Sequence, residues 1–442
     1  MTRIKTVLWI GLLLVIGLWM GAEQILATNY EFFSFRKSMI YLTGIVTITV
    51  MAFAMVLALR PKFLSQYLGG LDKTYRLHKW LGITALIFSL AHYLWIKAPH
   101  WLIDAGLMSK PNRPHKSAAN GESEAFFRNW HELAETIGEW GFYFVALLIL
   151  IALIKWFPYR LFFNTHRLLA IVFLMLVFHS VVLMKFSYWQ TPLAWLVGPL
   201  MGLGVLAALL SLLRKIGNRK SAVGVIDDIE LHPDNRVLAV DISLKDRWPG
   251  HEPGQFAFVQ FDSNEGHHPF TITSSWHDDG KLSFHIKGLG DYTNILPERL
   301  KKGNLVTIEG PYGQFNFKSS ANRQVWIGAG IGITPFMARM EDLEQHSDGK
   351  DIDLFYCTRM PDKAFIDKIH LLAAKANINV FVIDENVDGL LSLEDILQQT
   401  GNLDSADMWF CGPGAFAKTL QKSLKRQRIK LQGFHQELFQ FR

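Results

Sequence analysis

LDKTYRLHKWLGITALIFSLAHYLW, residues Leu71 to Trp95, is apolar enough to enter a bilayer, yet it carries His78 near its start and His92 near its end. An ionisable side chain at membrane depth is costly and marks function by default. The reading of this stretch decides the fold, because five more segments of the same kind surround it. Apolar runs occupy roughly 6–22, 39–59, 80–96, 141–157, 168–185 and 193–213. Each is near the length of about 20 residues that spans a bilayer. The run after MTRIK imitates a signal peptide, but no convincing cleavage site follows it, so it reads as an uncleaved anchor.

Charge then orients the spans. Arg60, Lys62, Lys73, Arg76 and Lys79 lie between spans two and three, Lys155, Arg160 and Arg167 between four and five, and Arg214, Lys215, Arg219 and Lys220 after six. The positive-inside rule places these loops and both termini in the cytoplasm, in a plasma (inner) membrane protein. The segment 97–139, with His100, His115 and His131, is then external. The chain has a net charge of +6 and a pI near 9.1, but its cations flank apolar runs, which points to a lipid membrane and not to nucleic acid. Beyond about residue 215 the composition is that of a soluble protein. Its two cysteines, Cys357 and Cys411, imply neither a disulfide framework nor a cysteine metal site.

The fifth span carries His166 and His179. Spans three and five run in the same direction, so His78 and His166 share the inner level and His92 and His179 the outer one. Fourteen residues of helix rise about 21 Å and return to nearly the same face. Two levels with one imidazole from each of two helices suit two bis-histidine haems, which need a nitrogen on each side of the ring plane. Without C-x-x-C-H the haems are expected to be b-type. Thirteen residues separate His166 from His179, which on a regular helix sets them about 140° apart, so a π-bulge is expected between them. The alternative, four hydrogen-bonded helix contacts, leaves the matched depths unexplained.

The soluble half has two patterns. VGVIDDIEL, VLAVDISL, QFAFVQF, FTITSS, LSFHIKG and LVTIEGPYG are short strands between turns, the pattern of an antiparallel barrel. Then QVWIGAG, DIDLFYCT, INVFVID and DMWFCGPG alternate with helical stretches, the pattern of a doubly wound parallel sheet. The expected domains are 1–215, 221–320 and 323–442. The first strand of the second pattern ends in GAGIGITP, where small residues let backbone approach a pyrophosphate at a helix N-terminus. The last ends in CGPG, at the carboxyl edge where such sheets bind ligands.

Together these features resemble the ferric reductase and NADPH oxidase superfamily, over roughly residues 35–442. The resemblance rests on LDKTYRLHK with His92, NTHR with His179, HPFTITSS, HIKGLGDYT, GAGIGITP and CGPG, in that order. It implies a six-helix transmembrane haem bundle, an antiparallel β-barrel flavin domain and a ferredoxin-reductase-like nucleotide-binding domain. His78, His92, His166 and His179 would bind two haem b groups. His268, Pro269, Phe270 and Thr271 would line FAD, with Phe270 on the isoalloxazine and Thr271 near its reactive nitrogen. Lys287, Gly290, Tyr292 and Thr293 would lie near the ribityl and phosphates. Gly328, Gly330, Gly332, Thr334 and Pro335, with Cys411, Gly412, Pro413 and Gly414, match the nicotinamide-nucleotide motifs. Arg359 stands where the family reads the 2′-phosphate of NADPH. Arg36 opens span two, where an arginine would hold a propionate or attract an anionic product. Thr271, Cys411 and Phe439 are the catalytic candidates, Phe439 by stacking on the flavin.

The implied activity is transmembrane electron transfer from cytosolic NADPH through FAD and two haems to an external acceptor. Ferric complexes are favoured, with oxygen reduction to superoxide, or donation to an extracytoplasmic partner protein, as alternatives.

Overall fold

The computed structural model describes residues 2–23, 32–109, 126–127, 129–154, 156–262 and 265–437. Phe439, proposed above as a stacking residue, and His115 of the external segment lie outside them. The described chain divides near residue 217 into a helical unit and a mixed unit.

The helical unit comprises α1 (Thr2–Glu23), α2 (Phe32–Ala58), α3 (Lys62–Leu68), α4 (Leu71–Asp104), α5 (His131–Leu153), α6 (Tyr159–Leu183) and α7 (Pro192–Leu212). All but the short α3 contain a stretch long and apolar enough to cross a membrane. These helices are apolar on nearly every face, as expected where lipid covers what protein does not. Trp9, Leu13, Ile87, Leu147 and Leu206 are accordingly exposed. The interior is built from α2, α6 and α7, around Val46, Ala52, Phe173 and Ala207. Gly204 permits the α7 crossing, since an added Cβ would stand 2.7 Å from the Phe173 ring. At one end the Glu23 carboxylate accepts from Ser38 (2.6 Å), Lys185 (2.9 Å) and Tyr188, tying α1 to α2 and to the turn after α6.

Span three is a single helix of 34 residues that contains both His78 and His92. One expectation needs correction. The π-bulge is absent: α6 is regular α-helix from His166 to His179.

In the mixed unit, β1 (Ser221–His232), β2 (Val237–Leu244), β3 (Phe256–Gln260), β4 (His268–Thr271), β5 (Lys281–Lys287) and β6 (Leu305–Tyr312) form an antiparallel sheet of order β4-β3-β6-β1-β2-β5. Its edges meet through an Ile272–Phe284 bridge and a Thr273 N–H to Ser283 carbonyl bond of 2.8 Å. Closure removes the exposed edges and encloses Val240, Ala257, Ile272 and Phe284. A helix that the strand pattern did not predict, α8 (Asp291–Arg299), follows β5.

A parallel sheet of order β11-β10-β7-β8-β9 follows, made of β7 (Arg323–Ala329), β8 (Asp351–Thr358), β9 (Asn379–Asp384), β10 (Asp407–Cys411) and β11 (Gly433–Glu437). The helices α9 (Thr334–Gln345), α10 (Lys363–Lys375), α11 (Leu393–Thr400) and α12 (Gly414–Arg426) cover it. The order reverses between β7 and β10, which makes their carboxyl ends the switch point where such sheets bind ligands. Strand β11 was not anticipated, because GFHQE lacks a run of branched apolar residues.

Candidate functional site

The four intramembrane histidines form two pairs. His78 faces His166 with ring centres 5.8 Å apart, and His92 faces His179 at 6.3 Å. Three of the rings are anchored alike: His78 Nδ1 bonds the Ala54 carbonyl (3.0 Å), His92 Nδ1 the Ile40 carbonyl (2.9 Å), and His179 Nδ1 the Ala134 carbonyl (2.7 Å). A carbonyl oxygen only accepts, so Nδ1 carries the proton, and in the neutral ring Nε2 keeps its lone pair for a metal. His166 instead stacks on Phe162 at 5.1 Å. Two imidazoles on one metal, each bonded at about 2.0–2.1 Å, set their ring centres on the order of 6 Å apart. The donor set and the spacing therefore fit a bis-histidine haem at each level.

Packing leaves room for the rings. The backbones of α4 and α6 do not approach as closely as α5 does α6, or α2 does α7. A Cβ on Gly138 would fall inside the His179 ring, at well under 3 Å, and one on Gly44 would stand 3.1 Å from His92. Sequence reasoning did not single out these two glycines, whose bareness the imidazole positions require. Arg36 has backbone partners: its Nε and Nη2 donate to the carbonyls of Trp95 (2.8 Å) and Ile96 (3.0 Å). Trp95 is four residues before Pro99, which has no N–H to offer, so the guanidinium satisfies a carbonyl that the proline leaves bare.

In the mixed unit, His268 on edge strand β4 stacks on Tyr292 at 4.3 Å and 15°, bringing the HPFT and GDYT motifs together. Burial, then the charge of His267, pushes the His268 imidazole down to about 4, and burial pushes the Tyr292 phenol up to about 12. Pro269 and Phe270 are half-buried and Thr271 is buried. Thr293 Oγ1 accepts from the Leu289 (2.9 Å) and Gly290 (3.0 Å) N–H groups and so shapes the turn into α8. A groove of about 500 Å³ opens beside it, lined by Phe261, Tyr292 and Arg299.

The glycines at the switch point divide by function. Gly332 packs on the Cys411 backbone with no room for a side chain, Gly328 lies 3.0 Å by its absent Cβ from Ile333, and Gly412 2.7 Å from Ala329. They lock the ends of β7 and β10 together. Gly330, at φ +56°, and Gly414 are open; the nearest group to a Cβ on Gly330 is Lys287 Nζ, at 3.6 Å. The half-buried Lys287 thus bridges the flavin-type segment to the glycine loop, and burial, then Arg236, lowers its pKa. Thr334 and Pro335 are buried, and the Thr334 hydroxyl donates to the Ile331 carbonyl (3.0 Å), so both shape the helix start. Cys411 is buried beside Glu437, its register partner on β11, and burial, then Glu437, drives the thiol well above its ordinary pKa. Glu437 ends a strand that the sequence reading did not predict. Arg359, which follows β8, is paired with Glu385 at 2.6 Å.

Residues 43–177 match the ferric reductase like transmembrane component, and residues 225–316 match the FAD-binding domain model. Human NADPH oxidase 3 is 26% identical over 341 residues, covering 62% of this chain and 58% of that protein. Respiratory burst oxidase homolog protein A of Solanum tuberosum is 30% identical over 212 residues, 42% of this chain and 21% of its own length. The carnitine monooxygenase reductase subunit of Escherichia coli (strain K12) is 29% identical over 199 residues, 43% of this chain and 60% of its own length. A flavohemoglobin structure from Malassezia yamatoensis aligns over 91% of this chain and 97% of its own, at 17% identity and a TM-score of 0.48. The matches span about half to two-thirds of the first curated relatives, from 48% to 66%. The fold and motif order define a multi-pass membrane protein with a flavin-type reductase unit. The two domain matches and the NADPH oxidase relatives agree in their direction: this chain is similar to the ferric reductase and NADPH oxidase superfamily.

Proposed function

We propose that this protein passes electrons from NADPH across a membrane to an acceptor on the far side, with FAD and two b-type haems as its resident groups. The observation that carries the reading is the pair of imidazole couples at 5.8 and 6.3 Å, fourteen residues apart on α4. When bound, FAD accepts a hydride and releases single electrons, and haem carries them one at a time. The rest is the work of this chain. His78 with His166, and His92 with His179, hold the metal, while the Ala54, Ile40 and Ala134 carbonyls fix three of the rings. His268, Lys287 and Tyr292 orient the flavin phosphates and ribityl, and Thr271 and Phe270 frame its ring. Gly330 and Gly414 would give backbone access to the nucleotide, Arg359 would read its 2′-phosphate, and the buried Cys411 would lie near its reacting end.

Ferric complexes are the favoured acceptor. Oxygen is the second reading, supported by similarity to human NADPH oxidase 3 and to a superoxide-generating NADPH oxidase heavy chain of Dictyostelium discoideum. The plasma membrane, with both termini in the cytoplasm, is the proposed location, from the charges of the loops.

A reduced-minus-oxidised spectrum of the purified protein tests the haem assignment. Two b-type equivalents are expected, with one lost in His78→Ala and the other in His92→Ala; a spectrum without haem sinks the reading. NADPH oxidation with a ferric chelate, and again with oxygen, then separates the acceptors, and failure of both favours a partner protein.

A further inference from the structure

In sheets of this kind, an acidic residue near the adenosine ribose hydrogen-bonds its hydroxyls, whereas an arginine accommodates a 2′-phosphate. Here both occupy one place. Arg359 follows β8 and Glu385 follows β9, and Arg359 Nε donates to Glu385 Oε2 at 2.6 Å. The two partners are unequal: the Arg359 side chain is 71% exposed and that of Glu385 13%. The carboxylate is the seated member of the pair and the guanidinium the one lying over it. Among the described residues, Nη1 and Nη2 of Arg359 have no hydrogen bond.

Glu385 is also held firmly. Its N–H donates to the Thr358 carbonyl (2.9 Å), and the adjacent Asn386 donates from Nδ2 to the Arg359 carbonyl (2.7 Å) and to Asp384 Oδ1 (3.1 Å). The loops after β8 and β9 are thus stitched together around the ion pair. The charge of Glu385 is felt by Lys287, whose Nζ abuts Gly330, and by Cys357 at the end of β8. It therefore acts on the cleft bounded by the ends of β7, β8 and β9, where the nucleotide reading places the adenosine. An exposed ion pair formed only for stability has no reason to seat its carboxylate there, and such a pair contributes little.

We propose that Glu385 is a specificity-determining residue that limits the preference for NADPH over NADH. Resting on the nucleotide-cleft reading above, it deepens that reading. Without a 2′-phosphate, Glu385 holds Arg359. A phosphate monoester carries about −1.5 to −2 charges at pH 7, so it must take Arg359 from Glu385 and settle beside a fixed negative charge. A nucleotide with a free 2′-hydroxyl meets no such repulsion and can donate to the carboxylate.

The test uses the full chain in detergent and calorimetric binding of adenosine 2′,5′-bisphosphate against 5′-AMP, so no turnover is needed. Glu385→Gln keeps the shape and hydrogen bonding and removes the charge. It is expected to raise the ratio of the two affinities about tenfold, the equivalent of ~1.4 kcal/mol, and more at low salt than at high. Arg359→Gln is expected to lower the ratio, and in that background Glu385→Gln should still raise it, through the lost repulsion, but by less than in the wild-type protein. The NADPH to NADH ratio of kcat/KM should follow the same order. A ratio unchanged by Glu385→Gln, or both ligands weakened alike, overturns this inference and leaves the cleft reading intact. Failure of the wild-type protein to bind either ligand overturns the cleft reading and this inference with it.

Discussion

The two units use glycine in opposite ways. In the helical unit, Gly138 and Gly44 make room for imidazole rings that reach across from other helices. In the mixed unit, Gly332 and Gly412 let one strand end lie against another, while Gly330, Gly290 and Gly414 face open space. The difference follows from the surroundings. A bilayer supplies neither water nor a hydrophobic drive between helices, so helix packing is set by small residues and by polar groups that find partners. In water, a sheet gathers its strand ends by burial and needs glycine only where backbone meets backbone or ligand.

This contrast can be broken at several points. The largest effect belongs to Gly332→Val, whose side chain must enter the Cys411 backbone; a backbone cannot rotate away, and overpacking of this kind costs ~3 kcal/mol or more. Loss of bound flavin and a lowered unfolding midpoint are the expected readouts, and a variant with normal flavin content contradicts the packing role. Gly138→Ala comes next. It drives His179 from its Ala134 anchor, so haem content should fall from two equivalents to one while the flavin remains. Gly44→Ala, with 3.1 Å to His92, should only shift the spectrum of the same level.

A smaller effect separates the units by pH. Burial lowers His285 to about 3, and burial with His267 lowers His268 to about 4, from 6.5 in the unfolded chain. The unfolded state therefore binds more protons between these values, and stability rises with pH there. The contribution is complete above pH 6.5 and is lost as pH falls through 4 toward 3. Thermal unfolding of the mixed unit between pH 7 and 4 should show the decline, and His285→Phe should flatten it. The smallest effect is expected for Gly290→Ala: nothing lies within 4 Å and φ is an extended −153°, so unfolding should change by less than about 0.5 kcal/mol. If its flavin affinity falls while stability holds, Gly290 touches the flavin.

The Leu71–Trp95 stretch, the six apolar runs, the alternating strands and the order of HPFT, GAGIGITP and CGPG together made the architecture legible, because apolar length and periodicity are local properties. Spacing alone placed two histidines on each of two helices. It misjudged α6, where a thirteen-residue interval implied a bulge that the helix does not contain. Spacing also could not assign Arg36, whose partners are carbonyls 59 and 60 residues away, opposite a proline. Strand β11 escaped because its pairing with β10, and not its composition, makes it a strand.

The sequence by itself determined which segments are long and apolar enough to cross a membrane, which form a flavin-type reductase unit, and which histidines share a depth on neighbouring spans. Only the tertiary structure decided that the imidazoles meet in pairs with Nδ1 tied to backbone, that Gly138 must stay bare, and that Glu385 holds Arg359. Chain-local patterns record what a segment needs from its solvent. Which atoms then touch depends on groups 26 to 162 residues apart, as with Arg359 and Glu385 or Lys185 and Glu23, and no local pattern carries that distance.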